Sequence, residues 1–437
     1  MSYKEKIDMM KQTISAIRNG KYDKSISGVC SGSAAVEKEK ERLISLEKDF
    51  IECYGEPCGK VRLFSAPGRT EVGGNHTDHN HGKVLAASVD LDVVALVCER
   101  DDGIVRVTSR GFGKTDRIDL NERGVKPEEK GHSCAQIRGV IERLADLGYA
   151  VGGFDAVTVS SVMPGSGLSS SAAFEVLIGT IVSYIFNGGN ISPVEIAKAA
   201  QYSENHYFDK PCGLMDQMAC SVGGFVKIDF KDTDEPVITP VDFDFSSCGH
   251  KLVITDSRGS HSGLTDDYAA IRSEMEGVAA LFGKSCLREI EENDFLKELP
   301  ALHGKCSERA LLRAMHFYAE NRRVDAQAES LEKGDFENFK KLIVESGFSS
   351  YMYNQNVFSP SKASEQPVAL ALALSEMILK GRGAWRVHGG GFAGTIQAFV
   401  PDDLLDAYID CLESVFGKGA CYVLSIRPFG GTEFIEE

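Results

Sequence analysis

Twelve cysteines are present, yet no two form a Cys-x-x-Cys pair, and the nearest two are Cys53 and Cys58. That spacing provides neither a zinc signature nor a disulfide framework. Positive charge is in deficit: 48 Lys and Arg against 64 Asp and Glu leave a net charge of −16. A broad electrostatic affinity for nucleic acid is thereby excluded, and an anionic ligand must rely on local backbone N–H groups and a few cations. The opening residues, MSYKEKIDMMKQ, contain no apolar run of the kind a signal peptide needs. The most apolar stretch, Ala172 to Phe186, is interrupted by Glu175 and is too short to cross a bilayer. Internal repeats and low-complexity runs are absent. These absences point to a soluble cytoplasmic protein with reduced thiols, most of them small core residues, and with neither nucleic acid nor membrane as a partner.

What remains is a globular composition, 43% hydrophobic and 26% charged with 44 glycines and 13 prolines, over 437 residues. That length is too great for one ordinary core. Residues 3–18 and 34–53 read as helices joined by a Gly/Ser-rich loop. From Val61 the period becomes strand-like, and residues 88–98 and 153–161 continue it. Ser192 and Pro193 read as the N-cap and first turn of a helix. The second half begins near Phe225, with strands expected at 225–230 and 251–256 and helices at 266–282, 307–321 and 326–331. It ends on the turn His388–Gly394 (HGGGFAG) and a strand. Helices and strands mix without regular β-α-β alternation, which predicts two α+β lobes.

Three segments carry chemistry. Gly68 to Gly82 (GRTEVGGNHTDHNHG) packs Arg69, Glu71, His76, Asp78, His79 and His81 between glycines. Such a loop could ligate a metal or grip the hydroxyls of a small molecule. Gly165 to Ala172 (GSGLSSSA) sits between a strand and an apolar helix, where unpaired N–H groups and the helix dipole make an anion site. It is not a Walker A loop, because no Gly-Lys-Ser/Thr follows it. Cys212 to Met218 (CGLMDQM) places Asp216 among small and apolar residues, where an aspartate serves either as a hydrogen-bonded cap or as a reacting group. Glu204, taken alone, reads as part of a solvated helix face.

In this order, with HGGGFAG as a third glycine motif, these segments resemble the GHMP family of small-molecule kinases, and within it the galactokinases. The likeness runs from about Leu46 to the C-terminus; residues 257–268 (SRGSHSGLTDDY) are similar to the family's later sugar-binding stretch. The resemblance implies a helical extension over residues 1–45, an S5-like N-terminal lobe over 46–225 and a ferredoxin-like C-terminal lobe over 226–437, with the active site between the lobes. It implies phosphoryl transfer from MgATP to the anomeric hydroxyl of galactose, by a monomer or weak homodimer. Asp216 and Arg69 would be the catalytic pair. Asn75, His76, Asp78, the backbone at Gly213 and Tyr268 would bind the sugar. Gly165, Ser166, Gly167, Leu168, Ser169, Ser170 and Ser171 would cradle the nucleotide phosphates, and Ser171 and Glu204 would hold Mg²⁺. His79 and His81 receive no role, so the resemblance resolves the histidine-rich loop as a sugar-binding element.

The chain departs from the family's sugar loop at Glu71 (usually Asn), Asn75 (usually Glu) and His79 (usually Tyr). The usual Glu accepts a hydrogen bond from the sugar's primary hydroxyl; the Asn75 amide can still accept, and its neutrality would also tolerate a carboxylate. A kinase for galacturonate or arabinose therefore stands as one alternative. A catalytically inactive sugar sensor is the other; such proteins are disrupted in the Ser-Ser-Ser-Ala segment, which is intact here.

Overall fold

The computed structural model describes residues 3–30, 33–57, 59–162, 167–260 and 262–437, with side chains described from Met10 onward. Its strands are β1 (Val61–Gly73), β2 (Lys83–Arg100), β3 (Ile104–Ser109), β4 (Thr115–Asp119), β5 (Gly153–Ser160), β6 (Phe225–Asp229), β7 (Val237–Val241), β8 (His250–Asp256), β9 (Ala384–Val387), β10 (Thr395–Pro401), β11 (Cys421–Leu424) and β12 (Thr432–Phe434). Eight of them form one sheet in the order β12-β1-β2-β5-β3-β4, with β6 also paired to β2 and β7 to β6. The strand expected to stop near Ala66 continues to Gly73, so the first third of the histidine-rich segment is β-sheet.

Both faces of that sheet are covered, and the period of two shows how. In β2, Val93, Ala95 and Val97 face the main core, while Val94, Leu96 and Cys98 face the N-terminal helices. Those helices, Tyr3–Arg18, Asp23–Val29 and Ser33–Tyr54, supply Met10, Ile14 and Ile17 and then Leu43, Leu46 and Phe50 at helical spacing. The short middle helix lies where a loop was expected; Ile26 and Val29 bury its apolar face. On the opposite face lie the helices Ser133–Asp146, Ser170–Asn187 and Pro193–Ser203. The last begins as its sequence predicts: Glu195 N–H donates to the Ser192 hydroxyl, and Ser192 N–H to the Glu195 carboxylate, both at 3.2 Å. Ser170–Asn187 is apolar and long enough to cross a membrane by composition, but 61% of it is buried in this core.

The second sheet is antiparallel throughout, in the order β11-β8-β10-β9. Numbered along the chain, that order is 4-1-3-2, the ferredoxin-like arrangement. Between β8 and β9 run five α-helices among the described residues, including Glu308–Glu332, one continuous helix where two were expected. After β11 the chain crosses back, and β12 pairs with β1 through Leu63 opposite Phe434. The lobes meet where the end of β1, the start of helix Ser170–Asn187 and the β9–β10 turn converge.

Candidate active site

Asp216 lies in the first turn of helix Met215–Val222, which packs against β1. Arg69, on β1, meets it with two parallel hydrogen bonds, Nε to Oδ1 and Nη2 to Oδ2, each 2.7 Å. The Ser169 hydroxyl donates to Oδ2 as well, and Arg69 Nη1 donates to the Gly167 carbonyl. Burial pushes the Asp216 carboxyl up, but Arg69 and Ser169 outweigh it and hold it below its usual range. Behind Arg69, His388 sits buried between the hydroxyls of Thr70 (3.1 Å) and Thr395 (2.9 Å). Its pKa falls to about 3 through burial and the neighbouring Arg69 and Arg386, so the imidazole is neutral.

The sugar loop turns after Gly73. His76 has a left-handed backbone (φ 58°) and its Nε2 donates to the Gly390 carbonyl at 2.9 Å. Asp78 opens a short 3₁₀ turn, Asp78–Asn80, and one of its carboxylate oxygens lies 3.2 Å from where a Cβ on residue 213 would be. Gly213 thus lets the two segments approach. Burial pushes the Asp78 carboxyl up against the pull of His76. The Tyr268 hydroxyl donates to the Gly391 carbonyl at 2.8 Å, and its ring leaves no room for a side chain at Gly390. Arg69, Asp216 and Ser169 are thus joined directly, Asp78 and Gly213 approach each other, and His76 and Tyr268 meet the same glycine turn.

Asn75 differs from expectation. It is fully buried, and the protein fills all four of its amide hydrogen-bonding positions. Nδ2 donates to Glu71 (2.9 Å) and to the Gly389 carbonyl (2.7 Å); Oδ1 accepts from Ser350 (3.2 Å) and Asn356 (2.8 Å). The cause is Glu71, whose carboxylate turns inward to the fully buried Arg386 at 2.8 Å and draws the amide with it. Asn75 organises the loop and offers a ligand no free donor or acceptor. The neighbouring His79 is largely enclosed, with its pKa well below the usual value through burial and the nearby His76; its Nδ1 meets the amide of Asn80 at 2.9 Å.

In the serine-rich segment, Gly165 and Ser166 lie outside the described residues. Beyond them Gly167 and Ser169 have positive φ (75° and 56°), and Leu168 is buried, its carbonyl accepting from Arg69 N–H at 3.1 Å. Ser170 and Ser171 form the first turn of helix Ser170–Asn187. The Ser171 hydroxyl donates to Glu204 Oε1 at 3.2 Å. Glu204 is no solvated helix face: its side chain is 3% exposed, and Oε2 is held by Gln217 Nε2 at 2.8 Å. The same Gln217 nitrogen reaches the buried Glu175 at 3.3 Å. Burial and the adjacent Glu204 raise the Glu175 pKa well above its usual value. Glu175 stood out in the sequence as the one charge in an apolar helix; Lys210, whose ammonium lies 2.7 Å from Glu204 Oε1, gave no signal there. These donors fit a hard divalent cation: a hydroxyl and a carboxylate, with an ammonium already standing against that carboxylate.

Family models place the same segments. The GHMP kinases N terminal domain matches residues 135–224, and the galactokinase galactose-binding signature matches residues 48–99. A galactokinase of Streptomyces coelicolor is 31% identical over 87% of this chain and 96% of its own length, and one of Clostridium tetani is 33% identical over 85% and 92%. Among solved structures, the Lactococcus lactis galactokinase complexed with galactose superposes with a TM-score of 0.72 at 24% identity, covering 90% of this chain and 99% of that one. The Methanococcus jannaschii mevalonate kinase superposes at 0.60 with 15% identity, covering 85% and 99%. The two-sheet architecture and these matches make this fold that of the GHMP kinases. Within that class, the chain belongs to the galactokinase family.

Proposed function

We propose that this protein transfers the γ-phosphoryl group of ATP to the anomeric hydroxyl of galactose, giving galactose 1-phosphate. The observation that carries this reading is the doubly hydrogen-bonded Arg69–Asp216 pair, set between the sugar loop and the start of helix Ser170–Asn187. Phosphoryl transfer needs positioning and charge stabilisation more than covalent chemistry. Asp216, held ionised and weakly basic, orients the attacking hydroxyl and accepts its proton as the bond to phosphorus forms. Arg69 fixes that carboxylate and offsets charge on the phosphoryl group. His76, Asp78, the Gly213 backbone and Tyr268 hold the ring hydroxyls, while Asn75 acts one layer behind them. Gly167, Leu168, Ser169 and Ser170 line the phosphate side; Gly165 and Ser166, expected beside them from the sequence, lie outside the described residues.

Ser171 and Glu204 would hold Mg²⁺, which when bound neutralises charge on the nucleotide phosphates. Glu175, its pKa raised by burial and by the adjacent Glu204, stands behind that carboxylate. The reading includes a cytoplasmic setting, in keeping with eleven unpaired cysteines among the described residues. The test is ADP release over free galactose, galacturonate, arabinose and glucose. Galactose should lead in kcat/KM, with glucose lower by roughly 10⁴-fold because a galacto-specific hydroxyl site leaves polar groups unpaired with it. Galacturonate or arabinose in the lead would replace the substrate assignment, and no turnover on any sugar would favour a sensor.

A further inference from the structure

Between Glu204 and the catalytic segment the chain does something unusual. Residues Glu204–Phe208 wind as a π-helix, Asp209 closes it in a left-handed conformation (φ 69°), and Lys210 N–H donates to the Glu204 carbonyl at 3.0 Å. This closure folds residue 210 back over residue 204. The Lys210 ammonium then lies 2.7 Å from Glu204 Oε1, the oxygen that also accepts from Ser171. The two partners are unlike in setting: the Lys210 side chain is 58% exposed and that of Glu204 only 3%. A largely exposed lysine on a four-carbon stem is free to move, whereas the carboxylate is fixed by Gln217. An ammonium has three donors, and Glu204 is the side-chain acceptor Lys210 meets among the described residues. Beside this cluster Gln217 Oε1 is buried without a partner, an acceptor left open at the same place.

Charge gives the arrangement a purpose. A nucleoside triphosphate with one divalent cation still carries about two negative charges, and Glu204 adds another. Arg69 is committed to Asp216 by both ends of its fork. We propose that Lys210 is the second cation of the nucleotide site. It caps Glu204 before the nucleotide arrives, then turns from that carboxylate to the terminal phosphate oxygens when Glu204 takes up its metal. This rests on the kinase reading above and adds to it a phosphate-binding residue supplied by the π-helical closure.

Two binding measurements test it on the full chain, using wild type, Lys210→Met and Lys210→Arg. The first is equilibrium binding of the Mg²⁺ complex of the β,γ-imido analogue of ATP. Lys210→Met should weaken it about tenfold, the worth of one charged hydrogen bond, and Lys210→Arg should recover most of the loss. Galactose binding should stay within about twofold in both variants, because Lys210 lies on the nucleotide side. The second is Mn²⁺ binding to nucleotide-free protein by electron paramagnetic resonance, which should tighten in Lys210→Met because Glu204 is uncapped. Analogue binding equal to wild type, equal loss of sugar and nucleotide binding, or unchanged Mn²⁺ binding would each overturn the proposal. Wild-type protein that binds no nucleotide would instead remove the kinase reading, and this inference with it.

Discussion

Arg386, on β9 of the second sheet, donates to Glu71, on β1 of the first, at 2.8 Å, with side-chain exposures of 0% and 9%. A buried pair across two lobes does more to fix geometry than to add stability, since desolvation offsets much of its attraction. Here the geometry it fixes is that of the sugar loop: Glu71 holds the Asn75 amide, and Arg386 also donates to the Val72 carbonyl at 2.7 Å.

Restoring the family's usual residue at position 75 should therefore harm this chain. Asn75→Glu would place a second carboxylate within reach of Glu71, in a fully buried position where the Gly389 carbonyl is a second acceptor. An uncompensated buried charge costs about 3 kcal/mol or more. Chemical denaturation should show that loss, and the double variant Asn75→Glu, Glu71→Asn should recover much of it. Unchanged stability in the single variant would mean that Asn75 faces the ligand after all.

Asp216→Asn keeps the shape of the catalytic segment but loses charge and basicity. Turnover should fall by about 10²–10⁴-fold with galactose binding retained. Calorimetric sugar binding beside single-turnover rates separates the two effects, and near-normal turnover would remove Asp216 from the reaction.

The cation prediction separates Glu204 from the histidines. Glu204→Gln should raise the Mg²⁺ requirement by tenfold or more, and Ser171→Ala by less. His79→Ala with His81→Ala should leave it unchanged. A zinc ion that copurifies in stoichiometric amount and disappears with those histidines would make the loop a metal site.

Much of this was legible in the sequence. Period-two burial along β2 and the Ser192–Glu195 box are local signals, and each is found where the pattern puts it. What the pattern hid is non-local. Glu204 reads as a helix face until Gln217, Ser171 and Lys210 are folded around it. The inward turn of Asn75 depends on Arg386, 315 residues beyond Glu71. A π-helix has no simple apolar period, so the return of Lys210 onto Glu204 could not be seen either.

The N-terminal helices offer the last prediction, through pH. Glu39, on helix Ser33–Tyr54, is buried against Arg42 (3.0 Å), and Arg42 in turn donates to Asp92 at 2.5 Å on the first sheet. Glu39 Oε1 is buried without a partner among the described residues. Burial, with the Asp92 charge, raises the Glu39 pKa to about 7 against the pull of Arg42, from an ordinary value of 4.5. A raised carboxyl holds its proton in the folded state after the unfolded chain has lost it. Its contribution to stability is therefore complete below pH 4.5 and declines as pH rises to about 7. His316, lowered to about 4 by burial, and His388, lowered to about 3, act in the opposite sense below the usual histidine value of 6.5. The total profile mixes these terms, so the comparison must be between variants. Glu39→Gln keeps an acceptor for Arg42 and cannot ionise, so its melting temperature should gain on that of wild type as pH rises from about 5 to 8. A gap that stays constant over that range would show that Glu39 does not titrate within it, and that the helical cover is indifferent to its charge.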